Sequence, residues 1–159
     1  MSSLETGAAV LPRATLDSRE RPNQSGPDSL RSCWFMSMER LWLGFGSAFA
    51  LLGVAAGAFA AHGLRGRLPD VALSAFETAA RYQVYHALAL VLVSLLVMRG
   101  SAGLVNAAGG LFVAGIILFS GSLYLLALTD VKWVGAVTPL GGLCFLAGWA
   151  LLLVGAIRG

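Results

Sequence analysis

A chain of 159 residues with 57% hydrophobic and 12% charged side chains carries about half the charge of an ordinary soluble domain. Its net charge of +3 includes no Lys/Arg run and no basic stretch interleaved with aromatics. That excludes the usual footprint of nucleic-acid binding and suits contact with anionic lipid headgroups.

Residues 1–37 hold eight of the nineteen charges and are rich in Ser, Pro and Arg without apolar periodicity. They read as a disordered tail. Met36 and Met38 stand just before the first apolar stretch, so the tail reads equally as sequence upstream of the true translation start.

From Met38 onward, four stretches lack Asp, Glu, Lys and Arg: Leu41–Leu64, Tyr82–Met98, Gly100–Thr129 and Trp133–Ile157. Each is near or above the roughly 17–25 residues with which a helix crosses a hydrocarbon core about 30 Å thick. The predicted architecture of residues 38–159 is therefore all-α, an integral four-helix transmembrane bundle.

The first helix is predicted at about 41–61. Its end, Ala58-Phe59-Ala60, imitates a signal-peptide cleavage site, but the apolar run exceeds the usual h-region of roughly 7–15 residues. Gly53 and Gly57 form a small-xxx-small face suited to close helix approach, so the helix is read as retained. Pro69-Asp70 offers the next start, and the pattern runs to Met98. Those 29 residues would span about 43 Å, so the first turns of helix 70–98 are expected at the interface. A third helix is expected within about 102–128. For the fourth, about 138–157, Thr138-Pro139 supplies an N-cap followed by proline at the first helical position. Gly141, Gly148 and Gly155 recur every seven residues, placing them on one stripe for helix packing. Basic residues near the helix ends divide evenly between the two sides, and the tail arginines tilt the reading toward cytoplasmic termini.

Topology brings the end of helix one, the start of helix two, the end of helix three and the start of helix four to one side. The unusual polar residues gather there: His62, Glu77, Arg81, Tyr82, Gln83, Tyr85, His86, Ser120, Ser122, Tyr124, Thr129 and Thr138. One reading is a structural clamp. Glu77 and Arg81 stand four apart in the favourable order for an intrahelical ion pair, and Tyr82 and His86 are spaced to stack or bond. Serines in spanning helices commonly bond backbone carbonyls or cross to a neighbour.

Two sharper readings compete. His62 and His86 emerge on successive helices, but two histidines are few for a transition-metal site; bis-histidine haem is the remaining form of that idea. Transport would use the same layer in an oligomer, because four helices alone rarely enclose a pore. A proton-coupled carrier ordinarily needs an ionisable group at mid-depth, and helices one, three and four offer no carboxylate there. No GxSxG, HExxH, phosphate-gripping loop or carboxylate pair is present, so no catalytic residue is assigned. No CxxC occurs either: Cys33 lies in the tail, and Cys144 reads as a small hydrophobe in the fourth helix.

Four segments carry a family likeness: Gly57-Ala-Phe-Ala-Ala-His-Gly-Leu64; Phe76-Glu-Thr-Ala-Ala-Arg-Tyr-Gln-Val-Tyr-His-Ala-Leu88; Phe119-Ser-Gly-Ser-Leu-Tyr-Leu-Leu-Ala-Leu-Thr129; and Val137-Thr-Pro-Leu-Gly-Gly-Leu143 with Gly148-Trp149. In this order they resemble the YgdD-type family, small four-helix bacterial inner-membrane proteins of unknown function with transmembrane relatives in eukaryotes. The likeness covers Met38 to Gly159. It implies an uncleaved multi-pass inner-membrane protein and brings no activity, ligand or catalytic residue. The expectation is a non-enzymatic structural, accessory or lipid/small-ligand-binding protein, with a small oligomeric transporter or channel as the alternative. Membrane lipids and a second copy of the chain are the expected partners; no cofactor, metal or soluble partner is expected.

Overall fold

A computed structural model describes residues 27–100 and 103–158, with side chains from Met38 onward apart from Lys132. The elements are α1 (Pro27–Phe59) continuing into a π-turn (Ala60–Leu64), α2 (Asp70–Met98), α3 (Gly103–Gly115), a π-helical segment (Ile116–Ser120), α4 (Gly121–Thr129), a 3-10 turn (Lys132–Ala136) and α5 (Thr138–Arg158). Of the predicted tail, 1–26 lie outside the described residues. The backbone of 27–37 is helical, so α1 starts well before Leu41, at a proline followed by an acidic residue, a pairing that suits a first turn.

Four segments are long and apolar enough to cross a bilayer: Met38–Leu64, Asp70–Met98, Gly103–Thr129 and Trp133–Arg158. The all-helical four-span prediction holds. Large apolar side chains point outward along every span; Leu51, Trp133 and Ile157 are each more than 70% exposed. In water this surface would drive association, whereas lipid tails match it.

The spans form two antiparallel hairpins. α1 packs chiefly on α2, α5 packs chiefly on α3, and α2 joins the pairs through α3 and α4. The second and third spans are accordingly the inner ones: 44% and 33% of their most apolar windows are buried, against 17% for the outer two.

Inside lipid, apolar transfer contributes little to helix association, so close packing has to supply it. Glycine provides the room. Gly141 lies against the Phe119 backbone, and a Cβ there would come within 2.8 Å of the Phe119 Cα. Gly148 receives the Phe112 ring, where a Cβ would stand 2.6 Å from a ring carbon, and Gly115 receives the Phe145 ring. Rings and holes thus alternate along the α5 hairpin in a single antiparallel register. The α1–α2 contact uses Gly46 and Gly53, whose added Cβ atoms would meet Val91 at 2.9 Å and Val84 at 2.7 Å.

Two of the predicted packing glycines take no part. A Cβ on Gly57 or Gly155 would meet nothing within 4 Å. Gly57 floors an outward groove between α1 and α2. Gly155 lies one heptad beyond Gly148, where no neighbouring side chain comes within reach of an added Cβ.

The apolar interior has two parts. A large cluster joins Trp42, Leu90, Val93, Val97, Phe112, Ile116 and Phe145. A small one joins Ala60, Leu64, Phe76 and Ala127 toward the α1–α2 loop. At the far end of α4, Asp130 takes a left-handed φ of 54° and returns its N–H to the Leu126 carbonyl at 3.0 Å, closing the helix.

Candidate functional site

The charges on α2 mark its depth. Arg81 and Arg99 stand eighteen residues apart, about 27 Å of rise, which matches the hydrocarbon thickness. Residues 70–80 therefore project toward the headgroups. His86 sits about 8 Å below the Arg81 level, inside the hydrocarbon.

Half of the polar residues gathered on this side bridge helices. Ser120, carried by the π-helical segment, donates to the Ala79 carbonyl of α2 at 3.0 Å. Tyr124 donates to Gln83 Oε1 at 3.0 Å, and Gln83 Nε2 donates to the Phe49 carbonyl at 2.9 Å. The buried Gln83 amide thus ties α1, α2 and α4 at a single point. Ser122 and Thr138 share a 2.7 Å hydroxyl contact between α4 and α5. Thr129 bonds only within its own helix, to the Leu125 carbonyl. Among the described residues no buried polar side-chain atom lacks a partner. Such full satisfaction is what a low-dielectric interior requires.

The opposite side carries interhelical polar contacts of its own. Trp42 Nε1 donates to Asn106 Oδ1 at 2.7 Å, and Ser94 Oγ donates to the Glu39 carbonyl at 2.8 Å. Sequence reasoning missed both. The available signal was Asn106 itself, an amide within an otherwise apolar run. A Cβ on Gly109 would stand 2.9 Å from the Trp42 ring, so glycine makes room for that indole.

His86 is buried and stacked on Phe145, with ring centroids 3.4 Å apart and planes 5° off parallel. Its Nδ1 lies 2.8 Å from the Tyr82 carbonyl, and Trp149 Nε1 reaches its Nε2 at 3.3 Å. A carbonyl only accepts and an indole N–H only donates, which assigns the neutral Nδ1–H tautomer with Nε2 as acceptor. Tyr82 stacks beside the imidazole at 6.1 Å, as the four-residue spacing suggested.

Around this stack opens a lateral groove of about 730 Å³ between α2 and α5. Tyr82, Tyr85, Phe119, Phe145 and Trp149 form its aromatic walls, Gly142, Leu143 and Leu146 extend it along α5, and His86 lies among them. Its size falls in the range of small-molecule sites, and its lining is apolar with few polar tips.

The remaining predicted residues lie elsewhere. His62 is exposed in the π-turn, while His86 is buried against α5, so the structure does not bring the two histidines together as a pair. The expected Glu77–Arg81 ion pair is not made: among the described residues no contact within 4.0 Å joins them. Instead both line a second groove of about 360 Å³ between α1 and α2, with Gly53, Gly57, Ala80, Val84 and Tyr85. Among the described residues no three of His, Cys, Asp and Glu converge as metal ligands would.

Residues 56–142 match the family described as "Protein of unknown function (DUF423)". The chain is 45% identical over 120 residues to the UPF0382 membrane protein YwdK of Bacillus subtilis (strain 168), covering 75% of this chain and 98% of the relative. It is 43% identical to the UPF0382 membrane protein SH2409 of Staphylococcus haemolyticus (strain JCSC1435), covering 75% and 97%. The chain belongs to this family. No solved structure matches it. The DUF423 match runs from Ala56 into the start of α5, and so takes in His62, the whole polar stretch of α2, Ser120 of the π-helical segment, and Ser122 and Tyr124 of α4. The protein is a multi-pass membrane protein of an uncharacterised family.

Proposed function

We propose that this DUF423 chain is a non-enzymatic protein of the YgdD type, resident in the bacterial inner (plasma) membrane with both termini cytoplasmic. Its role on this reading is to hold a lipophilic small molecule or lipid tail in the aromatic groove between α2 and α5. The observation that carries the reading is the groove's composition. Its polar atoms at His86 and Trp149 are spent on each other and on the Tyr82 carbonyl, so the walls present ring faces and methylenes. Flat apolar or polyene ligands suit such walls, because aromatic faces give dispersion contact at little entropic cost.

Purification in mild detergent followed by native mass spectrometry tests the proposal, reporting bound ligands and copy number together. Gly142→Leu is the informative variant. A Cβ at Gly142 touches only the Phe119 ring edge, at 4.0 Å, so added methylenes fill the groove with little disturbance of the core. Ligand retention should fall about tenfold, the equivalent of ~1.4 kcal/mol, with the melting temperature unchanged. Native protein that carries nothing lipophilic, or full retention in Gly142→Leu, defeats the reading.

The transporter alternative draws on one specific feature, an ionisable imidazole within the hydrocarbon. It predicts solute or proton flux through reconstituted protein that His86→Phe abolishes at unchanged stability. A homo-oligomer in the native mass spectrum is part of that alternative.

A further inference from the structure

The groove between α1 and α2 is separate from the aromatic groove, with Tyr85 the wall they share. From it we infer a second site, one selective for the headgroup of an aminophospholipid, of the phosphatidylethanolamine class. The site goes beyond the reading of the aromatic groove and does not rest on it.

The order of groups along the groove carries the inference. Its deeper part is Gly53, Val54, Val84 and Tyr85, uncharged and without side-chain bulk at the glycine. Arg81 follows, at the hydrocarbon edge. Glu77 lies one helical turn further out, beside Gly57 and Ala80. Residues four apart on a helix stand about 6 Å from each other. A diacyl aminophospholipid presents the same series in the same direction: acyl chains, a phosphate anion, then a primary ammonium two carbons beyond it. Arg81 would donate guanidinium N–H bonds to the phosphate oxygens, and the ammonium would donate to the Glu77 carboxylate. The tails would lie over Gly53 and Val84, in the lipid.

Charge complementarity is specific here. Glu77 and Arg81 are positioned to satisfy each other as an ordinary intrahelical pair, yet among the described residues no contact within 4.0 Å joins them. Both line the groove, each available to an outside partner. Ionised groups at the edge of the hydrocarbon are costly without a counter-charge, and a zwitterion supplies both. Gly57 contributes by having no side chain: nothing stands within 4 Å of where its Cβ would be, which leaves space beside the charged pair. Phosphatidylglycerol offers the phosphate and uncharged hydroxyl donors, so it leaves the Glu77 carboxylate without a counter-charge. A choline headgroup offers a cation without N–H donors.

The test is lipid titration of the full chain in mild detergent, with native mass spectrometry counting bound phosphatidylethanolamine, phosphatidylcholine and phosphatidylglycerol. The native protein should take phosphatidylethanolamine about tenfold more tightly than either of the others, as one charge-assisted contact distinguishes them. Glu77→Gln should erase the preference over phosphatidylcholine while leaving phosphate-dependent binding. Arg81→Gln should weaken all three lipids about tenfold, and Arg81→Lys should restore part of that binding. Gly142→Leu, which blocks the other groove, should leave the preference intact, so failure at one groove is distinguishable from failure at the other. Equal binding of the three lipids by the native protein overturns the inference without any variant being needed. So does a preference for phosphatidylglycerol, the result of a simple cationic patch, or an unchanged preference in Glu77→Gln. Competition by soluble glycerophosphoethanolamine at concentrations equal to the lipid's would also overturn it, because the tails would then contribute nothing.

Discussion

Gly141→Ala should be the most damaging single-methyl addition in the chain, and Gly155→Ala, fourteen residues along the same stripe, should be harmless. At Gly141 the obstructing atoms belong to the Phe119 backbone, which cannot swing aside as a side-chain end can. Overpacking of this kind costs about 1–3 kcal/mol, occasionally more, against a helix-propensity gain of up to ~1 kcal/mol. A net loss of about 2 kcal/mol is expected, seen as a lower melting temperature in a fixed detergent. Gly148→Ala should fall between the two, since it meets the Phe112 ring, which is itself fully buried but can tilt. Gly155→Ala meets open space and should be neutral or slightly stabilising. Pairing Gly148→Ala with Phe112→Leu should recover part of the loss, because the shorter side chain vacates the hole. Equal melting temperatures for Gly141→Ala and Gly155→Ala would remove the close approach of Gly141 to the Phe119 backbone as a basis of the contact between α5 and the π-helical segment.

The same stripe shows what the sequence discloses and what it withholds. The crossing of lipid is written locally: an uncharged run of the required length has few alternatives once its backbone must satisfy itself. The four spans were therefore legible. The seven-residue repeat of Gly141, Gly148 and Gly155 was legible as a face, but not which of its members meets a partner. That depends on what the neighbouring segment brings opposite, Phe119 at Gly141, Phe112 at Gly148 and nothing within 4 Å at Gly155, and no local pattern in α5 encodes it. Gly115 went unremarked for the same reason, as did the two π-helical segments, whose one-residue insertions leave no compositional mark.

For the polar layer, the residue types were visible in the sequence and the pairings were not. Glu77 and Arg81 carried the strongest local signal, an acid and a base one turn apart, and that local rule failed: both line the α1–α2 groove without meeting. Tyr124 and Gln83 carried no local signal, lying on different helices, and they form the junction on which three helices meet. A residue's own helix reveals its face and depth. Its partner is set by the register between helices.

Gln83 is therefore the decisive test of whether the layer holds the fold or serves a ligand. Gln83→Leu keeps the volume and removes the amide, so Tyr124 loses its acceptor and the Phe49 carbonyl loses its side-chain donor. Interhelical hydrogen bonds in membranes average about 0.6 kcal/mol and reach about 1.7, so the two together predict a loss of about 1–3 kcal/mol. Tyr124→Phe, which breaks one of them, should cost about 0.6 kcal/mol. The double variant should be less damaged than the sum, because the hydroxyl left stranded by Gln83→Leu is gone, and a coupling of about 0.5–1 kcal/mol is expected. Thermal unfolding of the four proteins in one detergent closes the cycle. Gln83 lines neither groove, so ligand content and lipid preference should be unchanged at temperatures where the variant remains folded. A Gln83→Leu protein of native stability that had lost its bound ligand would reverse the assignment, making this amide part of a binding site and not a clamp.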